Sequence, residues 1–274
     1  MHPPYSPPKN YTRVKLSLAW DGTAFQGWQS QGQGERTVQD TLLEAVQFYG
    51  SCLRPVAAGR TDAGVHALEM SVHVDVEDGF KVRPDKLARA LNVRLPADLR
   101  VLESSAAPYN FHARHSCCAR RYLYRLERGI QPHPLERERA LHVWEPLDLE
   151  RLKEATELFM GQHDFAAFAT REERQTVRNL FSLEWKEVGG FVPILELHLH
   201  GESFLRHMVR AIVGTLLEVG MGKRSVESVR ELLEGGSRIH AGRNVPAYGL
   251  FFAGADYGDL TAYGPLSVQN SGSR

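Results

Sequence analysis

The spacing of apolar positions changes period along this chain, and the changes lay out an order of elements. Residues 12–20 alternate, with Val14, Leu16, Leu18 and Trp20 in phase, which predicts a half-buried strand. Residues 37–49 carry Val38, Leu42, Leu43, Val46 and Tyr49 at helical spacing, with Thr37 placed to cap the helix. A short strand is expected over 53–58. A second alternating strand is expected over 70–76, through Met70, Val72, Val74 and Val76. Pro84 opens the next helix, through Leu87, Leu91 and Val93, because proline at the first helical position forfeits no hydrogen bond. A last strand runs from Arg100 to Ser104. The order is β-α-β-β-α-β, the split βαβ or ferredoxin-like plan.

The same order returns further on. Residues 116–128 read as a strand, and Asp148 caps a helix bearing Leu149, Leu152, Ala155, Leu158 and Phe159. Strands over 178–188 and 191–200 meet at Gly189-Gly190, a hairpin signal. A long helix follows through Leu205, Met208, Val209, Ile212, Val213, Leu216 and Val219, then a short helix over 225–234 and a strand at Leu250-Phe251-Phe252-Ala253. The fold class is therefore α+β, with two ferredoxin/RRM-like βαββαβ subdomains whose antiparallel sheets can lie side by side around a central cleft. The boundary is expected near Pro108, with 11–107 forming the N-terminal subdomain and 108–262 the C-terminal one. Residues 1–10 and 263–274 are expected to be disordered tails.

Composition narrows the function classes. The 274 residues carry 33 Lys+Arg and 33 Asp+Glu, so net charge gives no support for nucleic-acid binding and local clustering has to carry that case. The three cysteines, Cys52, Cys117 and Cys118, lack C-x-x-C spacing and read as reduced. The N-terminus is Pro-rich without an apolar signal core, and no apolar run reaches membrane-spanning length. A cytoplasmic protein with no membrane partner is expected.

Charge does cluster locally. Between Phe111 and Arg128 stand Arg114, Arg120, Arg121, Arg125 and Arg128, with Phe111, Tyr122 and Tyr124 among them and Glu127 as the one acid. Arginines alternating with aromatics suit a single-stranded RNA surface, although charge runs are commonly just solvated strand edges. Arg171, Arg174 and Arg178 form a second cluster offset by Glu172 and Glu173, and Arg206, His207 and Arg210 share one helix.

The densest chemistry lies in Ala58-Gly59-Arg60-Thr61-Asp62-Ala63-Gly64-Val65-His66. Glycines flanking Thr61-Asp62 suit a tight loop or a close backbone approach. A nearby cation keeps an aspartate ionised, the state a nucleophilic carboxylate needs. Asp62 and His66, with His73 and Asp75 or with His198 and His200, could instead ligate a metal, but those pairs also mark a strand whose outer face is polar. No G-x-S-x-G, P-loop or G-x-G-x-x-G occurs, so serine and nucleotide-dependent chemistry have no support. A non-catalytic RNA-binding module of two RRM-like units stays open on these grounds.

With these residues in view, the chain resembles the TruA-type tRNA pseudouridine synthases over nearly its whole length. The segment around Asp62 is similar to that family's catalytic signature. Further blocks match in order: Trp20-Asp21-Gly22-Thr23-Ala24-Phe25-Gln26-Gly27-Trp28-Gln29, with Trp20 where Tyr is usual; Phe111-His112-Ala113-Arg114 with Ala119-Arg120-Arg121-Tyr122-Leu123-Tyr124; His163-Asp164-Phe165 with Arg178-Asn179; Phe204-Leu205-Arg206-His207-Met208-Val209-Arg210 with Ile212-Val213-Gly214; and Pro246-Ala247-Tyr248-Gly249-Leu250. The resemblance implies the pseudouridine synthase fold and isomerisation of uridine at nucleotides 38, 39 and 40 of the tRNA anticodon stem-loop. It implies a homodimer and no cofactor or metal. By the same resemblance Asp62 is the nucleophile, Arg210 its ion-pair partner and Tyr122 the contact to the target base. Arg60 helps extrude the base, and Leu250 walls the pocket. Phe111, His112, Arg114, Arg120 and Arg121 are expected to bind the tRNA. Attack at ribose C1′ or at uracil C6 would each suit one carboxylate.

Overall fold

The computed structural model describes residues 5–32, 34–170, 175–189, 192–264 and 266. Arg171, Arg174, Gly190 and the outermost parts of both expected tails lie outside these residues. The chain divides into two compact units, one formed by residues up to Cys118 together with those from Phe252 onward, the other by Ala119–Phe251. A linear split at 107/108 misses this return of the chain, because a short apolar run such as Leu250-Phe251-Phe252 marks a strand without saying which core it joins.

In the first unit, β1 (Tyr11–Trp20), α1 (Val38–Gln47), β2 (Val56–Ala57), β3 (His66–Glu77), α2 (Leu87–Asn92) and β4 (Leu99–Ala106) follow the expected order. The strands β4-β1-β3-β2 are antiparallel neighbours, which is the ferredoxin-like sheet. Val14, Leu16, Leu18 and Trp20 are buried as their alternation predicts. Thr37 caps α1, its side-chain oxygen accepting from the backbone of Asp40. Pro84 starts a 3-10 turn rather than α2 itself.

The other face of this sheet departs from expectation. His73 and Asp75 read as an outer polar face, yet both are buried. Arg13 pairs with Asp75 across β1 and β3, directly in register, with its Nε and Nη2 each 2.7 Å from the carboxylate. Its Nη1 donates to the carbonyls of Phe111 (2.5 Å) and Tyr5. His73 Nδ1 accepts from the backbone of Ala113 at 3.1 Å. The segment 111–116 therefore lies over this face and is held there. Tyr257 and Tyr263 add hydroxyl bonds to the carbonyls of Ala113 and Ser116. Removing one member of the Arg13–Asp75 pair would strand a buried charge at a cost of about 3–5 kcal/mol. Tyr5 and Tyr263 are thus tied into the unit.

The second unit contains β5 (Ala119–Arg128), β6 (Leu141–Val143), α3 (Leu149–Glu157), β7 (Gly161–Asp164), β8 (Val177–Val188), β9 (Ile194–Gly201), α4 (Met208–Gly220) and α5 (Glu227–Leu233). Here β5-β9-β8 repeats the antiparallel arrangement, with β7 beside β8 and β6 parallel to β5. In chain order the fourth strand of this plan is β10 (Leu250–Asp256), where the chain passes from one unit to the other. Strands β6 and β7 are three and four residues long, too short for alternation to register.

The histidines over the first sheet give a stability prediction. Burial, reinforced by the charges of His115, Arg13 and Arg114, pushes His112 down to about 4. Burial and the Arg13 guanidinium likewise hold His73 well below its usual 6.5. The unfolded chain thus binds more protons than the folded one once the pH drops below about 6.5. Stability should be fully present above that pH and fall progressively toward pH 4. Urea unfolding between pH 7 and pH 4.5 checks this. His112→Asn, whose Oδ1 can replace the acceptor, should flatten the decline.

Candidate active site

The Asp62 loop is built by the segment that follows β1. Backbone N–H groups of Trp28 and Gly64 donate to the carbonyls of Thr61 (3.1 Å) and Phe25 (3.2 Å). The indole of Trp20 donates to the carbonyl of Val65 at 3.0 Å. Gly22 N–H donates to His66 Nδ1 at 2.9 Å, so His66 is held as a neutral ring in a buried, structural position. Asp62 accepts from the N–H of Val65 at 3.2 Å, closing a four-residue turn whose third residue, Gly64, has φ 79°. That is the position at which a type II turn calls for glycine. Gly59 takes no such φ.

Two other glycines explain the rest of the Trp20–Gln29 block. A Cβ on Gly22 would lie 2.2 Å from the carbonyl oxygen of Val65, and one on Gly27 (φ 86°) would lie 2.5 Å from that of Thr61. The two backbones run in contact, with no room for a methyl group. Arg36 braces the segment from outside. It makes a bidentate pair with Asp98 (2.7 and 2.8 Å) and lies 4.1 Å from the centre of the Phe25 ring. Gln39, buried on α1, accepts from Gln29 and Ser30 and donates to Pro55. Sequence reasoning missed both residues. A glutamine at a buried helical position was the available signal for Gln39. Arg36 had none, since Asp98 lies far along the chain. In this frame Asp62 is half-buried and Arg60 exposed.

In the second unit, Tyr122 is half-buried and its ring meets Phe204 edge-on at 4.9 Å. Arg210 lies in the first turn of α4, and its Nε donates to the carbonyl of Val245 at 2.7 Å. The Val245 N–H returns a bond to the Arg210 carbonyl at 3.2 Å. Gly214 lets this segment close on the helix, since a Cβ there would lie 1.9 Å from the carbonyl oxygen of Arg243. His207 caps α4 with a left-handed φ of 63°, and its Nδ1 lies 2.9 Å from the Thr170 hydroxyl. Leu250 is buried at the start of β10. Just before it, Gly249 packs so close to Tyr124 that a Cβ would lie 2.6 Å from the ring, and the Tyr124 hydroxyl donates to the Pro246 carbonyl.

The basic strand divides. Arg125 is engaged by Glu136 (3.1 Å) and Glu196 (3.2 Å), and Arg128 by Glu187 (2.5 Å). Those two cations are balanced within the protein. Arg114 and Arg121 are exposed, and Arg120 and His112 half-exposed, with Arg120 donating to the Glu202 carbonyl. Phe111 corrects an expectation. It is 0% exposed, packed against Tyr257 and His73 in the first unit's core, and presents no face to RNA. His163 and Gln162 pair with Arg178 and Asn179 across β7 and β8, and Arg178 donates to the carbonyls of Gln175 and Val177. That block reads as a structural hairpin. Among the described residues, no three His, Cys, Asp or Glu side chains gather as metal ligands would.

Comparison with known proteins is consistent with this arrangement. Residues 17–116 and 155–258 match the family model described as tRNA pseudouridine synthase. The chain is 46% identical over 246 residues to a tRNA pseudouridine synthase A of Thermus thermophilus, covering 89% of this chain and 96% of that protein. It is 41% identical to the Halalkalibacterium halodurans protein of the same name, covering 87% of this chain and 90% of that one. For the Bacillus licheniformis counterpart the identity is 39%, with 87% and 96% covered.

The close approaches give a prediction. Gly27→Ala should destabilise the protein by about 2 kcal/mol or more, through strained backbone and loss of the fit to Thr61. It should also lower turnover beyond what the unfolded fraction explains. Thermal unfolding and initial rates on the same preparation separate the two effects.

Proposed function

The chain belongs to the tRNA pseudouridine synthase family, and we propose that it converts uridine to pseudouridine at nucleotides 38, 39 and 40 of the tRNA anticodon stem-loop, with Asp62 as the nucleophile. The observation that carries the assignment of Asp62 is the frame around its loop, in which Gly22 and Gly27 press the preceding segment onto the backbone at Val65 and Thr61. A loop backbone held by so many bonds presents its carboxylate from a fixed position. A non-catalytic RNA-binding module would have no use for that arrangement.

The substrate must first leave its stack. Flipping a paired uridine costs about a few kcal/mol, which phosphate contacts offset without reading sequence. Arg114, Arg120 and Arg121 supply those contacts in this reading, with His112 beside them, and Arg60 helps displace the base. The flipped uracil lies against Tyr122, with Leu250 as the apolar wall. Arg210 is the ion-pair partner of Asp62 in this reading, as the family resemblance implies. The bond between N1 and C1′ then breaks, the uracil turns, and C5 bonds to C1′. The C5 proton leaves and N1 ends protonated, so the product is an isomer of the substrate and nothing is consumed. Exclusion of water protects the intermediate from hydrolysis. No helix among the described residues is long and apolar enough to cross a membrane. A tRNA substrate favours a cytoplasmic enzyme, acting as a homodimer that the tRNA bridges.

Four measurements test this reading. Unmodified tRNA transcripts incubated with the enzyme should acquire pseudouridine at positions 38–40 when mapped at nucleotide resolution. Asp62→Ala should lower the rate about 10⁴-fold or more with tRNA binding retained, and a normal rate would remove Asp62 from the chemistry. Arg210→Gln should lower kcat about tenfold or more with tRNA binding retained, as initial rates and Kd on one preparation would show. For the RNA surface, Arg121→Ala should weaken binding and reduce the salt slope by about one. Arg125→Ala should leave the slope unchanged, since Arg125 is already paired with Glu136 and Glu196.

A further inference from the structure

The arm ahead of β1 is held by more than its short length requires. Arg13, its charge balanced by Asp75, donates Nη1 to the carbonyl of Tyr5 as well as to that of Phe111, so one guanidinium ties the arm to the segment carrying Arg114. The Tyr5 ring stacks on His115 with centroids 4.6 Å apart and planes 10° apart. Both rings also touch His112, at 4.9 and 4.4 Å. His112 Nδ1 accepts from the backbone N–H groups of Arg114 and His115, both at 3.2 Å, which sets where those two residues leave the turn. His115 and Arg114 are exposed and Tyr5 is half-buried.

We propose that Tyr5 and His115 form a stacking platform for a nucleotide of the tRNA other than the target uridine, with Arg114 taking the adjoining phosphate. The proposal rests on tRNA being the substrate. Parallel aromatic and imidazole rings beside an arginine are the elements single-stranded and looped RNA is held by, since every base has a face to stack and its phosphate follows one step away. His112 is held neutral, its pKa pushed down to about 4 chiefly by burial, so it adds a ring to the platform and no charge. Arg13 contributes no net charge either, being matched by Asp75. Arg114 is the exposed cation of this turn, with Lys9 exposed further along the arm. A tail folded back only for stability would gain as much from aliphatic contacts, without rings set parallel at the surface.

Binding of an unmodified tRNA transcript to the full chain tests the platform. Tyr5→Ala and His115→Ala should each raise Kd about tenfold, the usual effect of losing one stacking ring. Tyr5→Phe should stay within about twofold, since the ring and not the hydroxyl does the stacking. In turnover the two alanine variants should raise KM and leave kcat unchanged, as loss of uniform binding does. A Kd for Tyr5→Ala within about twofold of the parent, at unchanged thermal stability, overturns the proposal. A second measurement needs no variant: irradiation of the parent enzyme with tRNA carrying 5-bromouridine should yield an adduct on the peptide containing Tyr5 or His115. An adduct absent from both peptides overturns the platform. Pseudouridine mapped at other nucleotides would overturn the site choice proposed above and leave these binding results standing, so the two readings fail separately.

Discussion

The contact between two stretches of backbone, 20–28 and 61–66, is what the proposed site around Asp62 depends on. Two glycines bring them together at distances no side chain allows, and four hydrogen bonds from Trp20, Gly22, Trp28 and Gly64 fix their register. An aspartate on a free loop would sample many directions and lose rate in each. Here the loop is part of a layered backbone, and the entropy of positioning is met at folding rather than at reaction. Trp20, Phe25 and Trp28 supply buried surface that keeps the layer in place. The sequence assigns the block carrying these residues no role beyond the family resemblance. Its structural work is to carry the carboxylate.

A second constraint is the buried Arg13–Asp75 pair. A buried ion pair seldom stabilises more than well-packed apolar residues would, and its value is in fixing geometry. The two spare directions of the Arg13 fork do this, since they satisfy carbonyls from the arm and from the 111–116 segment. The same segment is pinned by His73, Tyr257 and Tyr263. As a result Arg114 and His115 emerge from a fixed turn, and Phe111, which looks like a ring for RNA, anchors that turn in the core.

The basic strand shows how charge clustering can mislead in one dimension. Five arginines stand between positions 111 and 128, but they do not form one surface. Glu136, eleven residues after Arg125, and Glu196 on β9 neutralise Arg125, and Glu187 on β8 neutralises Arg128. Arg114 and Arg121 remain exposed. Counting charge along a strand gives an upper limit on what RNA can meet, and the strand's neighbours decide the remainder.

Local pattern determined much by itself. Alternation located β1 and β3, strand and hairpin signals located β5, β8 and β9, spacing and caps located α1, α3 and α4, and their order identified the ferredoxin-like plan of the first unit. The Asp62 loop was legible because a tight turn needs glycine whatever surrounds it, and the ordered blocks identified the family. Other features depended on residues distant in sequence, and period carries no information about those. These include the burial of His73 and Asp75, the return of the chain to the first unit at Phe252, the brace of Arg36 on Asp98, and the ordering of Tyr5. Each is settled by which surfaces meet when the core closes: a polar residue is buried or solvated according to whether a partner 30 to 100 positions away arrives with the complementary charge or carbonyl, as Asp75 and Phe111 do for Arg13 (62 and 98 positions away).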